Sequence, residues 1–346
     1  MRPFTYTCPK TVDDALRAYM QTSESKFIGG GTNLLDLMKM GVERPPQLID
    51  INKLPLTAIE ERNGGLRIGA LVSNTAAANH PLIRTRYPVL SQAILGGASP
   101  QLRNMATMGG NLLQRTRCYY FYDPSYAECN KRVPGSGCAA LHGYNRIHAI
   151  LGQSEQCIAV HPSDMCVALA ALDGEVQVKG PKGERSIRFA DFHRLPGETP
   201  QVETNLTSGE LITSIDLPAI SYGRRSCYLK VRDRHSYAFA LVSVAAILDV
   251  DADEKIREAR IALGGVAMKP WRATQAEKVL AGQKPDDEAL RAAADAELQN
   301  AHGYEYNTFK IELARRCIRR AINQALVVGQ TPSPAPGASP GQKGSS

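Results

Sequence analysis

The chain has 346 residues, enough for about two domains at roughly 150 residues each and for a core that needs no covalent staple. Hydrophobic residues make up 43% and charged residues 22%, as in an ordinary soluble globular protein, and no apolar run approaches the ~18 residues of a membrane span. The 41 basic residues exceed the 34 acidic ones by 7, which suits an acidic partner or an anionic cofactor; with aromatics at 6% and no Lys/Arg run, nucleic acid is the weaker fit.

The opening segment, MRPFTYTCPK, has no basic-then-apolar pattern, so no export signal of its own is expected. TVDDALRAYM predicts a helix with Thr11 and Asp14 as its cap and Ala15, Leu16, Tyr19 and Met20 on one face. KFIGGG leads from a short apolar run into a turn, and TNLLDLMKMG predicts a helix closed by Gly41. QLIDI and GLRIGAL read as strands, Ser73 as a further cap, and Tyr87 to Leu113 as helical and then glycine-rich. Residues 114–160 show no helical or strand period, and so long an irregular stretch inside a domain is functional or held by something. Patterning resumes with HPSDMCVALAALDG as a capped helix, EVQVKG and ERSIRF as strands joined at PKG, and LITSIDL. Past residue 222, SCYLKVRDR, FALVSVAAILDVD and ARIALGGVA predict antiparallel strands, followed by two or three helices, the last over about 307–328. The expected division is 1–221, with an insertion at about 114–160, then 222–330, then a disordered Pro/Ser tail at 331–346.

Three consecutive glycines, Gly29, Gly30 and Gly31, lie between a strand and a helix in Lys26-Phe27-Ile28-Gly29-Gly30-Gly31-Thr32-Asn33-Leu34. Glycine lets the backbone approach a ligand, and the helix start offers free N–H groups, an arrangement that suits a phosphate or pyrophosphate. The spacing is neither the Rossmann nor the P-loop fingerprint, and a tight strand-to-helix turn fits it equally. A second glycine site, Thr107-Met108-Gly109-Gly110-Asn111, about eighty residues on, favours one elongated phosphate-bearing ligand between two subdomains.

Eight cysteines stand out, and four of them, Cys118, Cys129, Cys138 and Cys157, fall in one segment with the spacing C-x10-C-x8-C-x18-C. Without an export signal a disulfide framework is not the default, and gathered thiols suggest a metal or a cluster. The spacing is that of neither zinc ribbons nor small ferredoxins. Arg115, Arg117, Lys131, Arg132 and Arg146 nearby would offset the negative charge of four thiolates around iron–sulfur or around zinc alike, and four buried unligated thiols remain the plain alternative. Cys8, Cys166, Cys227 and Cys317 are scattered and read as ordinary thiols, while His142, His148 and His161 read as solvated or as neighbours of the cysteines rather than as ligands.

In order along the chain, KFIGGGTNLLDLMK, ATMGGNLLQRTRC, CNKRVPGSGCAALHG, QCIAVHPSDM, KVRDRHSYAFALVSVAAI and ALGGVAMKPWR resemble the FAD-binding medium subunit of the xanthine oxidase family of molybdenum hydroxylases, and within it the flavin subunit of periplasmic aldehyde oxidoreductase. The likeness covers all but the tail, and its cysteine motif is specific, because most flavin subunits of that family lack one. It implies an α+β fold: a two-subdomain FAD-binding domain of the vanillyl-alcohol-oxidase (PCMH) type over 1–221, then a C-terminal α+β domain of antiparallel sheet and helices. It implies that Lys26 to Leu34 wrap the FAD pyrophosphate and that Thr107, Gly109, Gly110 and Asn111 line the cofactor. Asp164 would bond its polyol or ribose region, and Lys230 would lie near the flavin. Cys118, Cys129, Cys138 and Cys157 would bind a [4Fe–4S] cluster. Asp164 at the head of a helix also fits a plain capping role, and Lys230 in a strand a surface one. Gly29 stands where close relatives carry alanine.

The resemblance further implies an electron-transfer subunit of an aldehyde oxidoreductase heterotrimer, with no catalytic residue of its own. A large molybdenum-cofactor subunit and a small [2Fe–2S] subunit would deliver electrons, and an external acceptor would take them. Nucleic acid and a membrane span are not expected. Periplasmic location is expected by export of the folded chain with a signal-bearing partner through the twin-arginine route, with the cytoplasm as the alternative. A self-sufficient flavin oxidase of small alcohols would explain the glycine loops and leave the cysteines idle. A zinc-stabilised scaffold or nucleic-acid-binding protein would do the reverse.

Overall fold

The computed structural model describes residues 2–330, so the tail expected to be disordered, 331–346, lies outside the described residues. The chain starts with a parallel sheet of β1 (Thr5–Thr7), β2 (Lys26–Ile28) and β3 (Gln47–Asp50), in the order β1-β3-β2. Parallel neighbours need crossovers, and α1 (Val12–Gln21) and α2 (Leu34–Lys39) provide them. The Thr11 side chain caps α1 by accepting the Asp14 N–H at 3.1 Å, as its sequence predicts. Gly41 ends the α2 turn at φ +74°, a conformation that glycine adopts without steric cost.

A second sheet is antiparallel: β4 (Ile59–Arg62), β5 (Gly65–Gly69), β6 (Glu175–Gly180), β7 (Gly183–Arg188) and β8 (Leu211–Leu217), in the order β4-β5-β8-β6-β7. Between β5 and β6 run α3 (Asn74–Asn79), α4 (Pro81–Arg86), α5 (Pro88–Gly96), α6 (Pro100–Met105), α7 (Met108–Leu112), α8 (Tyr119–Tyr122) and α9 (Asp164–Ala171). The short α10 (Phe189–Phe192) follows β7. The helix starts are written in hydroxyl residues: Ser73, Ser99, Thr107 and Ser163 each accept the backbone N–H three residues on.

The third sheet, β9 (Ser226–Val231), β10 (Val242–Val250), β11 (Ile256–Gly264) and β12 (Trp271–Arg272), is antiparallel in the order β12-β11-β10-β9. It is followed by α11 (Thr274–Leu280), α12 (Asp287–Leu298) and α13 (Phe309–Gln330). Both of its faces are covered. Ala245, Ile247 and Ala262 join the core built by α5 and α9, while Val244, Ala246, Leu248 and Leu263 join the core built by α12 and α13. Covering both faces makes β10 read as an unbroken apolar run instead of an alternating one. The architecture is therefore the α+β one the sequence resemblance implies.

Residues 113–160 carry no regular element except α8. Their backbone is satisfied by short bridges and side chains. Asn130 N–H donates to the Gly137 carbonyl at 2.8 Å and Ala139 N–H to the Glu128 carbonyl at 3.0 Å, while the Arg132 guanidinium donates to the carbonyls of Tyr120, Phe121 and Tyr126. The far end of the segment is tied to the C-terminal part of the chain, since both Ile150 and Leu151 N–H groups donate to the Val266 carbonyl.

Candidate functional site

A cavity of about 810 Å³ opens where the parallel sheet, the helices α5 to α7, the cysteine segment and β9 meet. Its size and mixed lining fall within the range of cofactor sites. Lys26 through Leu34 line one side, Thr107, Gly110 and Asn111 another, and Asp164 and Lys230 a third. Gly109 does not line it. A Cβ at Gly109 would lie 2.9 Å from that of Ala70, so this glycine serves the packing of α7 on the end of β5 instead.

The two glycine loops face each other across a contact that only glycine permits. A Cβ on Gly30 would lie 1.8 Å from the Met105 carbonyl oxygen, inside any allowed contact, and one on Gly29 would lie 3.1 Å from Thr107 Oγ1. Gly31 sits at φ +70°, the left-handed region that favours glycine. The first loop is fixed from behind by Asn33, whose side-chain oxygen accepts the Arg115 N–H at 2.8 Å and whose amide donates to the Tyr122 hydroxyl at 3.1 Å. Asn111 is held by three side chains: it donates to Asn74 at 2.9 Å and accepts from Ser163 and Gln114.

Asp164 and Lys230, distant in sequence, form one unit. The Lys230 ammonium lies 2.8 Å from Asp164 Oδ2 and donates to the Gly96 carbonyl at 3.0 Å, and Tyr228 donates its hydroxyl to Asp164 Oδ1 at 2.6 Å. Both charged side chains are only 7% exposed, so neither fits the capping or surface reading; Ser163 is the cap of α9. Burial, and the Asp164 carboxylate after it, push the Tyr228 phenol well above its usual pKa, which keeps it a donor.

The four clustered cysteines meet in one apolar pack with Leu37, Phe121, Ile158 and Ala159. Cys118, Cys129 and Cys157 are buried, and Cys138 is partly so. A hydrogen bond from Cys157 lowers Cys138 to about 6, against the opposing effect of burial, while burial pushes Cys118 up to about 12. The four sulfurs of a tetrahedral zinc site lie roughly 3.8 Å apart at the usual Zn–S length. Among the described residues the only group of three such ligand atoms within 4.8 Å of one another is His161, Cys166 and His193. Cys138 and Cys157 are hydrogen-bonded to each other within the four-cysteine pack.

His148 is a neighbour of the cysteines and not solvated: it is buried, and its Nε2 lies 3.1 Å from Cys118 Sγ. Burial lowers its pKa to about 4, and Lys310 adds to the effect. His161 and His193 belong to the cavity floor, both directed at the Leu112 carbonyl, at 3.4 and 2.8 Å. Burial lowers both, His193 to about 4, so the pair is neutral and packs with ring centroids 4.3 Å apart and planes tilted by 57°.

A charged chain joins the cavity to the cysteine segment. Glu43 pairs with Lys26 and Arg115, Arg115 pairs with Glu203 at 2.9 Å, and Glu203 pairs with the buried Lys131. Burial works to raise the Glu203 pKa, but Lys131 and Arg115 outweigh it and hold it below the ordinary value. Of these residues, Glu43 and Glu203 escaped the sequence reading. Nothing local marks either acid as the partner of a base about seventy residues away in the chain.

Comparison with known proteins agrees with this geometry. Residues 2–220 match the FAD binding domain in molybdopterin dehydrogenase, and residues 227–325 match the CO dehydrogenase flavoprotein C-terminal domain. The chain is 52% identical over 327 residues to the aldehyde oxidoreductase FAD-binding subunit PaoB of Escherichia coli (strain K12), covering 94% of this chain and 99% of that one. It is 27% identical to the glyceraldehyde dehydrogenase medium chain of Sulfolobus acidocaldarius, covering 84% and 85%. A solved carbon monoxide dehydrogenase from Hydrogenophaga pseudoflava superimposes with a TM-score of 0.74 at 26% identity, over 94% of this chain and 98% of that one. The chain belongs to the FAD-binding medium subunits of the molybdenum hydroxylase family of oxidoreductases.

Two outcomes are expected from this geometry. Gly30→Ala forces the two loops apart against a backbone carbonyl and costs at least the ~1–3 kcal/mol of ordinary overpacking. The purified variant should melt lower and retain less flavin; a wild-type flavin content and melting temperature would disprove the close-approach argument. Glu203→Gln lowers the melting temperature near neutral pH, because a carboxylate whose folded pKa is depressed stabilises above its unfolded value. The gap to wild type should close as pH falls through the depressed folded value, where wild type also loses the charge; a gap that stays constant into acid contradicts it.

Proposed function

We propose that this chain is the FAD- and [4Fe–4S]-containing electron-transfer subunit of a heterotrimeric molybdenum-dependent aldehyde oxidoreductase. A large molybdenum-cofactor subunit and a small [2Fe–2S] subunit deliver electrons to it, and an external acceptor receives them. The observation that carries the reading is the sharing of a wall: Arg115, Arg117 and Lys131 line the cavity, and Cys118 and Cys129 stand within two residues of them in the chain. The likeness to an aldehyde oxidoreductase FAD-binding subunit supports the substrate class.

Within this reading Lys26 to Leu34, Thr107, Gly110 and Asn111 hold FAD by its phosphate-bearing middle, with Gly30 giving the backbone its approach. Asp164 and Lys230 keep β9 against α9 at the cavity wall, and Gly109 seats α7 without touching the cofactor. Cys118, Cys129, Cys138 and Cys157 are the cluster ligands, and the thiolate is the ligand form. FAD and the cluster supply the redox chemistry, while the protein supplies position and potential. No helix among the described residues is long and apolar enough to cross a membrane.

Anaerobically purified complex should show flavin bands above a broad iron–sulfur shoulder, with iron and sulfide present. Cys129→Ser should remove the shoulder and leave the flavin bands. A colourless protein, or flavin without iron in the wild type, would end the cluster reading. We also place the subunit in the periplasm, carried there folded with a signal-bearing partner. Fractionation of export-competent cells should find the assembled complex in the periplasm and, when the twin-arginine pathway is disabled, in the cytoplasm. Cytoplasmic complex in intact cells refutes the location.

A further inference from the structure

Three lysine side chains are buried among the described residues, and they are served differently: Lys230 pairs with Asp164. Lys131 has a carboxylate: its ammonium meets Glu203 and also donates to the Pro200 carbonyl at 2.9 Å. Lys310, in α13, is 0% exposed and donates to two carbonyls, His148 at 2.6 Å and Gly265 at 2.5 Å. No carboxylate among the described residues pairs with it, and the charged side chain that acts on it is another cation, Arg146. A buried ion without a counter-charge costs several kcal/mol, and an apolar side chain of similar volume is normally the more stable choice. The chain carries a lysine there nonetheless.

What lies beside it is the cysteine segment. The carbonyl that accepts from Lys310 belongs to His148, whose ring Nε2 is 3.1 Å from Cys118 Sγ. Asn307, one turn earlier, donates to the same His148 carbonyl at 3.3 Å and to Ala149 at 3.1 Å. The start of α13 therefore grips the stretch between Cys138 and Cys157 and brings one positive charge to within a single residue of a proposed ligand. Four thiolates around a [4Fe–4S] core are net negative. We propose that Lys310 is a positioning residue for the iron–sulfur site, contributing from the C-terminal domain the buried positive charge that balances the anionic cluster. This rests on the cluster reading given above. Without such an anion, burial brings the lysine down to about 7; beside one it stays charged. A fixed positive charge favours the more negative, reduced form of a cluster and so raises its reduction potential.

The test uses the complete complex carrying wild-type chain, Lys310→Gln or Lys310→Met. Glutamine keeps N–H donors for the two carbonyls and removes the charge; methionine removes both. The readouts are iron and sulfide content and an anaerobic redox titration of the cluster, with the flavin potential as internal reference. Both neutral variants should hold iron and flavin, and the cluster potential should move to more negative values in each while the flavin potential stays in place. A wild-type cluster potential in Lys310→Gln overturns the proposal and leaves the lysine a hydrogen-bonding staple. If both neutral variants lose the cluster, Lys310→Arg decides: retained iron at the wild-type potential supports the role of the charge, and lost iron overturns it. Failure of the cluster reading itself shows earlier and separately, as absence of iron and sulfide from the wild type.

Discussion

The ion pair of Asp164 and Lys230 holds the two halves of the cavity in one arrangement. Asp164 opens α9, Lys230 comes from β9, and the Gly96 carbonyl at the end of α5 completes the contact. Two charges so well buried gain little net stability over apolar substitutes, because their desolvation offsets most of their attraction. Their value is directional. Apolar contacts of α5 and α9 with β10 and β11 tolerate sliding, whereas a buried carboxylate with two specified donors, Tyr228 and Lys230, does not. A cavity that must accept a long cofactor cannot be closed by filling it, so its walls are registered at the rim by bonds that cannot shift without stranding a charge.

The cysteine segment is registered by the same means. With almost no ladder hydrogen bonds of its own, it depends on side chains to satisfy its backbone, chiefly the Arg132 guanidinium and the amides of Asn130 and Asn145. Asn33 holds it to the glycine loop, Lys131 to Glu203, and Asn307 to the C-terminal helix. Each of these residues serves the cavity or the C-terminal core as well, so the segment is shared structure between two sites and not an appendage of either. Loss of order around the cysteines should be felt in the cavity through Arg115, whose guanidinium lies 4.8 Å from the Phe121 ring on one side and pairs with Glu43 on the other.

Much of this was legible in the chain because the signals are local. Hydroxyl caps at Thr11 and Ser73, the triple glycine, the turn between β6 and β7 and the apolar run of β10 each state their structure within a few residues, whereas the cap of α9 is Ser163 and not the Asp164 beside it. β4 is absent from the predicted strands: IEER is an exposed edge with no alternation, and its one trace in the chain is Asn63-Gly64, at φ +49° and +73° in the structure, the pair that closes a two-residue hairpin. β1 and β12, three and two residues long, offer too short a pattern to be told from loop. The glycines show the limit of local reading most plainly. Gly30 and Gly109 look equivalent in sequence, and each is packed too closely for a side chain, Gly30 on the Met105 carbonyl and Gly109 on Ala70. Only the fold shows that the first also lines the cavity while the second lies behind it. The pairing of Asp164 with Lys230, and of Glu203 with Arg115 and Lys131, is long-range and has no local trace.

The net charge of +7 takes on meaning once the buried charges are paired off. Lys131, Arg115 and Lys230 each have an acid, in Glu203, Glu43 and Asp164. Those pairs are internally neutral and explain order, not ligand binding. Among the buried lysines of the described residues, Lys310 is left without an acid, and the glycine loop presents backbone to the cavity. A folded protein does not leave positive potential inside unless something negative completes it. Both are places where the proposed function puts an anion, a pyrophosphate at the loops and a thiolate-bound cluster near His148. A surplus spread over the surface would have pointed to a polyanionic partner; the Lys310 charge sits inside, against the cysteine segment.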